Sequence, residues 1–232
     1  MKSDFLRGMS HGIPVSLGYL SVSFGFGISA VRSGLSILDA SVISAVNLTS
    51  AGQVAGIEVI AQHGTIIAMI LSQLTINIRY SLMALSLSQK LDKKFTIPHR
   101  LLASYGITDE IFALCSAQPG LIVPAYMYGM ILISAVGWIL GTFLGAYAGQ
   151  LMPESVSSAM GILLYGMFLA IIIPPSRKHK NILCVVIVAA VMSIIFRYFI
   201  TAISSVYAII ICSVISASIG AVLFPVSDEE ES

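Results

Sequence analysis

Charge is what this chain has least of. Only 10% of its 232 residues are Asp, Glu, Lys or Arg, where an ordinary soluble domain carries roughly 25%. The balance is +1, so no basic surface is available for nucleic acid. The three cysteines, Cys115, Cys184 and Cys212, stand apart in apolar segments without metal or redox spacing, and are expected to be small packing residues. The four histidines, His11, His63, His99 and His179, fall at or near expected loops and form no metal constellation. Also missing are a Walker A loop, a GxGxxG after a strand, an HExxH and a GxSxG elbow, which argues against an enzyme. No cofactor is expected.

What fills the chain is hydrocarbon. Hydrophobic residues make up 57% and the mean hydropathy is +0.95. Eight apolar segments, A to H, run approximately over 12–31, 40–62, 64–88, 101–118, 121–148, 156–173, 181–201 and 203–225. Runs of ~20 residues can cross a bilayer as helix, and these runs are continuous, not alternating as in a β-barrel. The expected fold is an all-α polytopic membrane protein, one transmembrane transporter domain over 1–232 with a short acidic tail at 227–232. Segment A follows Lys2 and Arg7 but is too long for a signal peptide and lacks a clear cleavage site, so it is expected to remain as a span.

Positive charge sets the expected topology. Nine of the twelve Lys and Arg residues lie in three clusters: Lys2/Arg7, Lys90/Lys93/Lys94/Arg100 and Arg177/Lys178/Lys180. Short cytoplasmic loops attract such clusters. If all eight segments crossed, the second cluster would face outward. If neither B nor D crosses fully, all three clusters share the cytoplasmic side with both termini. Six full spans, with B and D re-entrant or broken, is the arrangement this predicts.

Two stretches support it. "NLTSAGQVAG" (47–56) in B and "YGITDEIFAL" (105–114) in D place polar and small residues where lipid would want Leu and Ile. Irregular backbone at membrane depth survives only inside protein or beside a wet cavity. Paired interruptions in two halves of a chain point to a transporter's binding site and to a possible inverted repeat.

Ionisable groups at such depth are functional candidates by default. Arg79, in "TINIRYSL", could hold a carboxylate or stabilise a buried acid, with Asn77 expected on much the same side. In "ITDE", Thr108 or Asp109 caps a helix, while two adjacent carboxylates exceed what capping needs. Asp109 is therefore a candidate acceptor for an ammonium group or a proton, and Glu110 a second proton-coupling candidate. Glu58 is the third, although beside Gln62 and His63 it also fits a solvated loop. Arg197, in "FRYF", fits an interfacial anchor. A half-helix beginning near Ser50, Gly52 and Gln53 could offer backbone N–H groups and side-chain donors to a carboxylate; close packing by small residues is the alternative.

Packing is the plain meaning of "GWILGTFLGAYAG". Gly137, Gly141, Gly145 and Gly149 repeat every four residues, a small-residue ridge along one helix face. Segment A repeats the device with Ser21, Gly25, Ser29 and Ser33. The spacing leaves open whether the ridge meets this chain or a partner.

The ordered set "GIPVSLGYLSVSFGFGISAVRSGLS", "NLTSAGQVAG", "LTINIRYSLMALSLSQKL" and "YGITDEIFAL" resembles the AzlC family of branched-chain amino-acid exporters across about 8–150. Two positions depart from it: Ser50 stands where many members have Gly, and Tyr80 where many have His. The second weakens any proton relay through that His. The resemblance implies a large exporter subunit that works with a small AzlD-type membrane protein, moving neutral hydrophobic amino acids from a bacterial cell on an ion gradient. Alternatives left open are transport of another small organic solute and a non-transporting membrane scaffold.

Overall fold

The computed structural model describes residues 2–153, 169, 172–173, 176–200, 203 and 205–224. Segments A, C, E and G form α1 (Lys2–Arg32), α4 (Ile66–Ser88), α7 (Pro124–Leu151) and α8 (Lys180–Tyr198), each long and apolar enough to cross a membrane. Segment H forms α9 (Ser205–Leu223). Segment F, apart from three positions, and the tail at 227–232 lie outside the described residues. The chain is an all-α polytopic membrane protein.

B and D are both broken. B divides into α2 (Ile37–Val46) and α3 (Ala51–Ala61), and D into α5 (Ile97–Ser104) and α6 (Asp109–Ala117). Local chemistry explains each boundary. Ser36 and Asp39 form a reciprocal capping box at the start of α2, satisfying two N–H groups that helix geometry orphans. At its end, Asn47 turns to extended backbone, and its Oδ1 accepts the Thr49 N–H at 2.8 Å. Ser50 then takes φ +47°, a left-handed conformation few side chains adopt, and α3 begins. In D, Thr108 is extended and its hydroxyl accepts from Ile111 N–H, the ordinary N-cap. Gly106 faces the Ile131 side chain so closely that any Cβ would collide with it.

Two compact units make up the chain: Met1–Ile57 with Ile76–Leu164, and Glu58–Thr75 with Tyr165–Ser232. In the first, α1 packs along α7 on small residues. A side chain at Gly137 would strike Ser16, at Gly141 Leu20 and Ser23, and at Gly145 Phe24, while at Gly149 it would press tightly on Ile28. The ridge thus meets this chain's own first helix. The face of α1 that answers it carries Gly8, Gly12, Ser16, Ser23 and Gly27. Ser21, placed on a ridge by its sequence spacing, is exposed and bonds back to Leu17 O. In the second unit α8 and α9 pack on one another, with Gly220 against Val185. There Val59 and Ala68 are buried beside Met69 and Ile210.

Candidate functional site

The two breaks are tied together inside the first unit. Helix α2 ends with carbonyls that have no partner further along the helix. The Tyr105 hydroxyl, at the end of α5, donates to Ala45 O at 2.8 Å. The Gln53 amide, just past the first break, donates to Asn47 O at 2.8 Å and Ile43 O at 3.2 Å. Its oxygen accepts the Trp138 indole N–H at 2.9 Å. Gln53 and Trp138 are each only 2% exposed, so this exchange replaces water for both side chains. Nearby, Ser44 and Thr142 share a hydroxyl hydrogen bond at 2.7 Å.

Trp138 also fixes the next side chain. Its ring meets the Tyr19 ring edge to face, centroids 5.3 Å apart. The Tyr19 hydroxyl lies 2.5 Å from Thr108 Oγ1 and 2.5 Å from Glu110 Oε2. A phenol has one hydrogen and an ionised carboxylate can only accept. Tyr19 therefore donates to Glu110 and accepts from Thr108, at the first turn of α6.

On the other side of that turn stands an ion pair. Arg79 Nη1 is 2.8 Å from Asp109 Oδ1 and 2.6 Å from Oδ2. The Arg79 side chain is 44% exposed and that of Asp109 41%, so the pair borders open space. Tyr80 lies under the guanidinium, 5.0 Å from ring centre to Cζ. Its hydroxyl accepts from Nη2 at 3.4 Å. The α6 N-terminus favours negative charge, and each of its two carboxylates has its own partner on a different helix.

The expected residues therefore divide. Arg79, Thr108, Asp109 and Glu110 come together around the second break. Gln53 does not face a solute with free donors: its amide closes the first break. Gly52 N–H likewise bonds Thr49 O at 3.2 Å, so the backbone donor expected there is spent on the turn. The Ser50 and Thr49 hydroxyls are buried without a hydrogen-bond partner among the described residues. Asn77 is not on the Arg79 side of α4, because two residues turn a helix by about 200°. Glu58 belongs to the second unit and accepts from Gln62, in the turn just past the end of α3, at 3.0 Å. Among the described residues no cluster of His, Cys, Asp and Glu could hold a metal. Tyr19, Tyr105 and Trp138 were not singled out by sequence. The available signal was aromatic rings in mid-span, since Tyr and Trp ordinarily favour span ends.

The sequence model of the family described as AzlC protein matches residues 14–152, more than half of the chain and the whole of the site. The chain belongs to the AzlC family. Inner membrane protein YgaZ of Escherichia coli (strain K12) is 26% identical over 193 residues, covering 79% of this chain and 77% of that protein. An uncharacterized membrane protein of Archaeoglobus fulgidus is 29% identical over 174 residues, 73% of this chain and 75% of its own length. One from Helicobacter pylori (strain 26695) is 23% identical over 199 residues, 83% and 86% of the two chains. No solved structure matches. Every residue of the Arg79–Asp109 and Tyr19–Glu110 contacts lies within the AzlC match.

Proposed function

We propose that this AzlC-family chain is the large subunit of a secondary exporter that moves branched-chain or similar small neutral amino acids out of the cell. The observation that carries the reading is the Arg79–Asp109 pair. A zwitterion brings one carboxylate and one ammonium group to a membrane site. An existing guanidinium–carboxylate pair is the same two charges with opposite ownership. The solute's carboxylate takes the Arg79 fork and its ammonium takes Asp109. The charges in the site stay balanced throughout, which matters where desolvating an unpaired ion is costly. The exchange makes and breaks only hydrogen bonds and ion contacts.

Proton uptake at Asp109 would release the ammonium group and give the ion coupling that export against a gradient requires. A small AzlD-type membrane protein is the proposed partner. Both termini and the Lys90–Arg100 cluster are proposed to face the cytoplasm, following the distribution of Lys and Arg. Efflux of preloaded labelled leucine, with and without the small partner, tests the reading. Export lost in Asp109→Asn supports it. Unchanged flux overturns it, and harmless neutralisation of Arg79 and Asp109 together would favour a scaffold role.

A further inference from the structure

We propose that Tyr19 is a positioning residue that selects which of two adjacent carboxylates pairs with Arg79. The inference rests on the Arg79–Asp109 pair being the solute's receptor. Asp109 and Glu110 follow one another in the first turn of α6, at the same favourable helix pole. A guanidinium offers five donors and could accept either acid. The structure nevertheless sorts them: Nη1 touches both oxygens of Asp109, while Glu110 is held by the Tyr19 hydroxyl.

Successive helical residues point about 100° apart, which sends Asp109 toward α4 and Glu110 toward α1. That divergence alone does not hold a long Glu side chain, which has three rotatable bonds. Tyr19 does. Its ring is 7% exposed and wedged by Trp138, which Gln53 anchors in turn. The phenol is a fixed donor. Glu110 immediately follows, in the same turn of α6, the carboxylate that Arg79 holds. Without the Tyr19 hydroxyl, Glu110 turns to Arg79 and competes with an incoming carboxylate. Tyr19 thereby keeps the receptor to one acid.

Leucine efflux kinetics and thermal unfolding in detergent test this together. Tyr19→Phe raises KM about tenfold, the scale of a hydrogen bond to a charged group, and leaves kcat nearly unchanged. Tyr19→Phe/Glu110→Gln has no competing carboxylate and returns KM toward the wild-type value. A loss that persists in that double variant means Tyr19 is merely structural and overturns the proposal. The unfolding arm needs no transport. Asp109→Asn lowers the midpoint less in a Tyr19→Phe background than alone, because Glu110 replaces Asp109, and adding Glu110→Gln removes that relief. Equal effects in both backgrounds also overturn the proposal. If the wild type moves no leucine while the unfolding cycle holds, export fails and the selector role stands.

Discussion

Tyr105, in the break between α5 and α6, donates a hydrogen bond to the carbonyl of Ala45, the next-to-last residue of α2, at 2.8 Å. Sixty residues separate the two in the chain, and each belongs to a helix that stops partway. One interruption supplies what the other lacks: a donor for a carbonyl that helix geometry leaves orphaned. Together with Gln53 and Trp138 this makes the two breaks a single braced feature.

Removing the braces should cost stability in a fixed order. Tyr105→Phe deletes one neutral hydrogen bond at a half-exposed position, worth about 1 kcal/mol. Gln53→Ala leaves the Trp138 N–H and the Ile43 and Asn47 carbonyls without their acceptor or donor in a buried site, and should cost about 2–4 kcal/mol. Thermal unfolding in detergent checks the order; Gln53→Ala no worse than Tyr105→Phe would contradict it.

The glycine ridge gives a pair of predictions with opposite signs. Gly145→Ala drives a methyl into the Phe24 carbonyl. It should force α1 and α7 apart at a cost of about 1–3 kcal/mol. Gly18, on α1, has nothing within 4 Å of where its Cβ would lie. Gly18→Ala should be neutral or stabilising by up to about 1 kcal/mol, through helix propensity alone. Accumulation in membranes and unfolding midpoints read both.

The proposed topology predicts where a thiol at position 93 reacts. Lys93 is exposed in the loop between α4 and α5, which an isolated parallel β-bridge between Leu91 and Ile122 ties to the segment before α7. Lys93→Cys should react with a membrane-impermeant maleimide only in inside-out vesicles. Reaction in intact cells would place the cluster outside and remove the basis for six full spans.

These features were unequally legible in the sequence. The breaks could be read because their causes are local: "NLTSAGQVAG" sets an Asx turn and a left-handed serine, and "ITDE" is an N-cap signature. The ridge could be read because its four-residue period is regular. The reply from α1 could not, since Ser21, Gly25, Ser29 and Ser33 keep a period but sit at the wrong phase. The surface that meets α7 runs through Gly8, Gly12, Ser16, Ser23 and Gly27.

Long-range pairing was out of reach for a different reason. Gln53 looks like a donor for a solute until Trp138, 85 residues on, claims its oxygen and the Ile43 and Asn47 carbonyls claim its hydrogens. Arg79 and Asp109 were both identified from their charge at membrane depth. That they neutralise each other follows only from how α4 and α6 meet. Asn77 was misplaced by reading two-residue spacing as one face, which helix periodicity forbids.

The central claim is that one guanidinium and one carboxylate exchange partners with a solute carrying both charges. Competition against labelled leucine binding, by purified chain with the proposed AzlD-type partner, tests that claim most directly. Isoleucine and valine should compete. Leucinamide, without the carboxylate, and 4-methylpentanoate, without the ammonium group, should each compete at least about tenfold more weakly, since each leaves one member of the Arg79–Asp109 pair without a partner. Equal competition by either single-charge analogue would contradict the account.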